Sequence, residues 1–351
     1  MPPEPVLQVI TDTYRRSGQV FEADLHREFE RLGEGVSLAA LDPASSAGLL
    51  GRRSGLPGTG PRRPSVRMLR DLRAAIAYNA VITDHGSTAL PMCALATVEG
   101  PTPFVCRQAC EQFVLARTPG RRAAIRHALR RVTPVTALWQ GAADVLFDHF
   151  GVPRERMSIV SNGVPAERAF CRYSASGRGE ATIRAQSGTA HSAVHRCTGR
   201  KKECRCPLTS QARASSARLA ASDGWAKLPT PSLQARAQDL AIGTVPMHHP
   251  IRSAARAISA ADVIGLTSQG GDSMPAVLVE AGMMGVPAVA APVEASVDLI
   301  TDGATDRITL PDDTGATALA VVDVHDHRHQ DGQAATRHRI AHFEIREVAQ
   351  E

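Results

Sequence analysis

Lysine is nearly absent from this chain. Only Lys201, Lys202 and Lys227 stand among its 40 basic residues; the rest are arginine. Aromatic residues are also scarce, at 4%, with two Trp and three Tyr in 351 residues. That leaves too few rings for a surface that holds nucleic acid by base stacking. No apolar run reaches the length of a membrane span, and no apolar signal core follows the Met-Pro-Pro start. A cytoplasmic protein is therefore expected, one that touches membranes at most from outside. Seven cysteines give no disulfide framework for a chain of this size and compartment; Cys93, Cys106 and Cys110 read as small hydrophobes.

What is present is unevenly spread. Residues 169–242 hold 12 Lys and Arg against 4 Asp and Glu, while the rest of the chain holds 28 against 31. The overall charge of +5 therefore comes from one segment, the same one that contains every lysine. Residues 171–241 also carry only seven Ile, Val or Leu, placed singly. Such a segment cannot bury enough apolar area to offset the entropy of ordering it.

On either side, short apolar runs alternate with helical periods. VLQVIT (6–11), VSLAAL (36–41), AVITDHG (80–86), TPFVCR, VTALW and MSIV read as strands. Between them lie a helical stretch to Phe29, SVRMLRDLRAAIA (65–77), RRAAIRHALRR (121–131) and GAADVLFDHFG, the last closed by Gly151 and Pro153. After residue 253 the alternation resumes with a helix at 253–260, the strand ADVIGLTS, a helix at 274–284 and the strand VPAVAAP. The fold class expected is α/β, with two Rossmann-like halves built on parallel sheets. The divisions expected are 1–165, an anomalous stretch 166–244, the remainder of the second domain 245–325, and a tail 326–351 with a C-terminal helix. The His-rich VVDVHDHRHQDG (321–332) reads as a second, smaller anomaly.

The most informative stretch is GDSMPAVLVEAGMMGVPAVA (271–290). Ser273 suits the cap of a helix and Pro275 its first turn. Gly285 ends that helix and Pro287 prevents continuation. The amide end then faces Gly270, Gly271 and Asp272, a setting that favours a phosphate. Glu280 follows within the same short helix. A capping aspartate and a surface glutamate would account for the spacing equally well.

The segment ADVIGLTSQGGDSMPAVLVEAGMMGVPAVAAPVEASVDLITDG resembles the C-terminal domain of retaining GT-B glycosyltransferases of family four. Glu280, Ala281, Gly285, Pro287, Asp302 and Gly303 match the family pattern. Asp272 stands where the family has glutamate, one methylene shorter. MSIVSNGV resembles the stretch that precedes the interdomain linker in that family. The resemblance covers roughly residues 1–168 and 245–351. It implies transfer of a sugar from a nucleoside-diphosphate sugar to an acceptor hydroxyl, with retention and without a metal or other cofactor. It also implies a catalytic role for Asp272 and donor contacts from Glu280, Gly271, Ser273 and Met274. In the N-terminal half, Gly18 would approach the donor phosphates. His85, at a strand end in ITDHGST, would be a second catalytic residue; a satisfied loop histidine is the alternative.

Other patterns carry less. Arg122, Arg126 and Arg130 follow one another at i, i+4 spacing; they fit either a solvated helix face or contact with an anionic membrane surface. His191, His195, Cys197, Cys204 and Cys206 match no common zinc spacing. The basic segment lacks a nucleic-acid-binding module, and no nucleic acid partner is expected.

The resemblance fails between residues 169 and 244, where the family has the opening strands of the donor domain and a basic pair for the diphosphate. Shifted forward by one base, possible codons for VHRCTGRKKECR (194–205) permit Phe-Ile-Gly-Ala-Leu-x-Glu-Arg-Lys-Asn-Val, close to the family's motif. The segment therefore reads as translated out of frame between two compensating indels. A genuine insertion is the alternative, but it would leave the donor-domain strands elsewhere in the chain. Little or no transfer is expected of the polypeptide as written. Two further readings stay open: a non-catalytic relic, and a basic anion- or nucleic-acid-binding protein acting through residues 171–236.

Overall fold

The computed structural model describes residues 6–12, 17–42, 66–77, 81–85, 89–98, 100, 102–108, 118–132, 134–169, 219–221, 254–259, 261–267, 274–310 and 313–350. The chain divides into two units, residues 1–163 with 345–351, and residues 164–344. Each has its own parallel sheet, as the alternating pattern predicts.

The first unit runs β1 (Val6–Asp12), α1 (Ser17–Leu32), β2 (Val36–Asp42), α2 (Val66–Ile76), β3 (Val81–His85), α3 (Ala89–Ala96), β4 (Phe104–Gln108), α4 (Pro119–Leu129), β5 (Val135–Ala137), α5 (Gln140–Phe150) and β6 (Met157–Ile159). The strand order is β2-β1-β3-β4-β5-β6, and every neighbouring pair is parallel. Buried side chains such as Val9, Ile10, Leu41, Cys106 and Val135 sit in strands, as a parallel sheet covered on both faces requires. Leu72, Leu90, Ile125 and Leu146 bring one side chain each from α2, α3, α4 and α5.

Local chemistry sets the helix ends. The hydroxyl of Thr118 accepts from Arg121 N, with Pro119 in the first turn of α4. Gly151 takes φ 69° and closes α5, where Gly151 N and Val152 N donate to Phe147 O and Leu146 O. The sequence reading gives no helix at α3, ALPMCALA. This helix is apolar all round and buries Leu90, Met92 and Cys93, so it has no polar face to create a helical period.

The second unit runs α6 (Ala166–Ala169), β7 (Leu219–Ala221), α7 (Ala254–Ser259), β8 (Val263–Leu266), α8 (Ala276–Met283), β9 (Ala288–Ala290), α9 (Ser296–Leu299), β10 (Arg307–Ile308), α10 (Thr314–Asp326) and α11 (Arg328–Phe343). Its sheet has the order β10-β9-β8-β7. Strand β7 is a correction: it falls where no strand is expected. Three residues are too few to show a period, and pairing with β8 defines them, Leu219 beside Val263 and Ala221 beside Gly265.

The His-rich stretch 321–332 is a second correction. It forms the end of α10 and the start of α11, and Val321 and Val324 pack with Val263 and Val289. Burying each such side chain contributes about 1.5–3 kcal/mol, which the hydrophilic run that follows, from His325 to His329, conceals. The expected C-terminal helix is broken at Glu344, which has extended backbone. The last piece, α12 (Ile345–Val348), returns to the first unit, where Ile345 and Val348 pack on Phe21 and Leu25 of α1.

Candidate functional site

In the second unit the site is built on α8. Strand β8 ends at Leu266, and Met274 and Pro275 immediately precede α8. The helix begins at Ala276, two residues later than expected, with Pro275 in the N-cap position and no side-chain cap hydrogen bond. Ser273 is therefore not the cap. Proline disfavours helical backbone in the residue before it, which prevents an earlier start. Met274 is 4% exposed. Its side chain belongs to the core, so only its main chain could meet a donor. Gly271, Asp272 and Ser273 lie outside the described residues.

Glu280 is in the second turn of α8, roughly 6 Å along the axis from the first residue. It is buried, 8% exposed, within an otherwise apolar helix. Arg168 of α6 places Nη1 3.2 Å from Glu280 Oε1. The segment carrying Arg168 is held in place: Val164 N donates to Phe343 O at 2.8 Å, and Ala166 N donates to Glu344 Oε1 at 3.3 Å.

The far end of α8 closes with Gly285 at φ 73°. Val286 N donates to Ala281 O and Gly285 N to Gly282 O, a Schellman closure. Helix α11 supports α8 from behind. Thr336 Oγ1 donates to Gly282 O at 2.9 Å. A methyl group on Gly282 would come within 2.5 Å of Arg339 Cγ. Arg339 Nη2 meets Asp306 Oδ2 at 2.7 Å, with both side chains sealed from solvent. Burial pushes the Asp306 carboxyl up and the Arg339 guanidinium down, and their mutual attraction opposes both shifts. Asp302 and Gly303 build the turn before β10: Asp302 Oδ1 accepts from Ile308 N, and Gly303 takes φ 79°.

In the first unit, β1 and β3 are neighbours, although β2 comes between them in sequence. The connections from such a pair run to opposite sides of the sheet, leaving a crevice at the carboxyl ends of the strands. His85, the last residue of β3, pairs in register with Ile10 near the end of β1. Gly18 lies in the first turn of α1, which follows β1. Both residues therefore lie along this edge.

Beside it is a buried polar network that the sequence reading did not single out. Arg107 of β4 places Nη1 3.3 Å from Glu22 Oε1. Its Nη2 donates to Ser161 O and to Asn162 Oδ1 at 3.1 and 3.0 Å, and its guanidinium carbon stands 3.9 Å from the centre of the Phe21 ring. Burial lowers the Arg107 pKa, and the Glu22 charge opposes that. An arginine inside the apolar strand FVCRQ is the signal that could have marked it. Arg121, Arg122, Arg126 and Arg130 lie along the exposed side of α4, opposite buried Ile125 and Leu129. No helix among the described residues is long and apolar enough to cross a membrane. The His/Cys set at 191–206 lies outside the described residues.

Two Rossmann-like units, each with a parallel sheet, define the GT-B class. Anabaena HepE, in a crystal structure with UDP, matches with a TM-score of 0.82 and 16% identity, over 99% of this chain and 97% of HepE. A glycosyltransferase from Rickettsia africae matches with a TM-score of 0.78 and 11% identity, over 99% and 96%. A UDP-GlcNAc 2-epimerase from Neisseria meningitidis matches with a TM-score of 0.63 and 11% identity, over 99% and 97%. No curated protein sequence matches. The family model described as "Glycosyl transferases group 1" matches residues 216–327, a stretch that contains α8 whole. The chain thus has the GT-B fold, and its residues 216–327 are similar to group 1 glycosyl transferases.

Proposed function

We propose that the chain takes a nucleoside-diphosphate sugar as donor and transfers its hexosyl group to an acceptor hydroxyl with retention. The observation that carries this reading is the position of Glu280. It is a buried carboxylate in the second turn of a helix that follows a parallel strand, inside the family-matched stretch. Amides at the start of α8 suit the diphosphate, and Glu280 suits the ribose hydroxyls. Asp272 is assigned to the donor sugar, and His85 and Gly18 to the carboxyl edge of the first unit's sheet. HepE was crystallised with UDP-glucose, so UDP sugars are the first donors to try. Fold alone does not select transfer, because an epimerase shares it.

The acceptor is a glycan, lipid or small molecule, and the chain works in the cytoplasm. Attachment to an anionic membrane surface through the arginines of α4 belongs to the same proposal. No metal or other cofactor is assigned to the reaction.

The composition break favours a weak or inactive catalyst. The basic pair expected for the diphosphate is missing from the sequence as written. The family match opens at residue 216, so we place the end of the out-of-frame tract before that position. Sequencing of the gene across codons 165–250 decides this point, and one uninterrupted frame encoding this same sequence would remove the out-of-frame account. Saturation-transfer NMR with the full chain and a panel of nucleotide sugars tests the donor assignment. Signal transferred to ribose and base protons is expected. Its absence for every donor would overturn the assignment, and an epimerised nucleotide sugar without acceptor product would replace transfer by epimerisation.

A further inference from the structure

We infer that Arg107 is a positioning residue for the carboxyl edge of the first unit's sheet, holding the start of α1 and the chain near Gly163 against the end of β4. That this edge meets a ligand rests on the reading above. Asp84 of β3 stands beside Cys106, and Thr136 of β5 beside Arg107. Arg107 is therefore the next position toward the edge, level with His85 and just before the last residue of β4.

Its contacts reach two segments that the sequence keeps apart. On one side is α1. Glu22 Oε1 lies 3.3 Å from Nη1, and the Phe21 ring lies under the guanidinium. Both residues follow Gly18 by about one turn. Gln8 of β1 also donates to Glu22, at 3.4 Å, so this part of α1 is held from two strands. On the other side, Nη2 donates to Ser161 O and Asn162 Oδ1. Gly163 comes next, so close to Ile345 that a Cβ would overlap its main chain. Ile345 packs in one cluster with Phe21 and Val160.

Packing alone does not call for an arginine here. Burying a guanidinium is costly, and apolar residues of similar volume are often as stable in such a place. What arginine adds is direction. Its donors form a planar fork, and a carboxylate, a main-chain carbonyl and an amide oxygen lie along it. Lysine would keep the charge opposite Glu22 but has no fork to reach Ser161 and Asn162 as well. A residue that only fills the core lowers stability throughout the unit when it is replaced. One that sets an edge releases that edge first.

Hydrogen exchange of the full chain, read by mass spectrometry, separates the two roles. Arg107→Lys and Arg107→Gln are compared with the unsubstituted chain and with Leu146→Ala, a core change on α5. In Arg107→Gln, residues 18–24 and 158–163 should exchange roughly tenfold faster or more, while residues 135–150 stay within about twofold. Arg107→Lys should keep 18–24 within about threefold and still release 158–163. If Arg107→Gln does not fold, Arg107→Lys decides alone. A uniform rise across the unit, as Leu146→Ala should give, would overturn the proposal, and so would no change. UDP-glucose should add protection at 17–22 in the unsubstituted chain and in Arg107→Lys, and less in Arg107→Gln. Equal added protection in Arg107→Gln would overturn the ligand role of Arg107. No added protection anywhere in the unsubstituted chain would instead overturn the nucleotide-sugar reading, and exchange without ligand would still decide what Arg107 holds.

Discussion

Arg339 and Asp306 form a 2.7 Å ion pair from which water is excluded on both sides. The pair joins α11 to the start of β10, and Asp306 Oδ1 also accepts from Ala288 N at 2.7 Å, at the start of β9. Burial penalises both charges, so the pair owes its persistence to the partner each supplies. Removing one partner should therefore cost far more than removing both. Arg339→Met is expected to destabilise the second unit by about 3–5 kcal/mol, because it strands the buried Asp306. Adding Asp306→Asn should recover a large part of that loss. Urea unfolding of the single and double variants checks this, and additive losses would contradict it.

Close helix approach predicts an order among glycine variants. A methyl at Gly332 would strike the carbonyl of Gly285, and one at Gly163 would come within 2.6 Å of Ile345 Cα. Both obstacles are backbone. At Gly282 the obstacle is the side chain of Arg339, which has torsions that can yield. Gly332→Ala and Gly163→Ala should each cost at least about 1–3 kcal/mol, and Gly282→Ala less. Thermal melts of the three variants under one buffer give the ranking.

His338 predicts a pH effect. Arg339 Nη1 donates to His338 Nδ1 at 2.6 Å, so that nitrogen must carry a lone pair and the ring must be neutral. Burial, then repulsion by Arg339 and His342, lowers its pKa from 6.5 to about 4. Between those two values the unfolded chain binds a proton that the folded chain does not. Stability from this group is therefore full above about pH 6.5 and declines as the pH falls toward 4. For a partly exposed ring the loss is about 1 kcal/mol. His338→Gln keeps an acceptor for the guanidinium and removes the titration. Its melting temperature should fall less steeply across this window than that of the unsubstituted chain.

The arginines of α4 give a further test. Arg122, Arg126 and Arg130 are exposed, and Leu95 and Val98 at the end of α3 are about half exposed. Arg131 ties that end to α4 by donating to Thr97 O at 3.2 Å. Each basic residue near an anionic surface contributes about 1 kcal/mol. The chain should sediment with vesicles containing anionic lipid at low salt and be released at high salt. The triple change of Arg122, Arg126 and Arg130 to Glu should abolish sedimentation; unchanged binding would assign the arginines to a solvated face alone.

Local rules made some elements legible and hid others. Helix α5 could be read from its apolar period and its terminal Gly151, and β8 from VIGL. Strand β7 could not, because pairing with β8 creates it. The region of α8 followed from its proline and glycine boundaries, although Pro275 moved its start. Glu280 could be found from the motif, but its partner could not: Arg168 is 112 residues away, and no local pattern reports such a distance. The same holds for Asp306 and Arg339, separated by 33 residues.

Glu280→Gln separates binding from folding. The amide keeps the volume and hydrogen-bonding shape of the side chain, and Arg168, partly exposed, can turn to water. Breaking a partly solvated pair costs little, so stability should fall by under about 1 kcal/mol. Ligand binding should suffer more. The carboxylate is the charged acceptor proposed for the ribose hydroxyls, and charge-assisted bonds of this kind contribute about 1.5–3 kcal/mol. UDP affinity is expected to drop roughly tenfold or more. The pattern is the reverse of that for Arg339→Met, where stability falls first. Parallel calorimetry and urea titration of the two variants reads both quantities. A Glu280→Gln chain that binds UDP as well as the unsubstituted chain would remove Glu280 from the donor site and return it to a structural pair with Arg168.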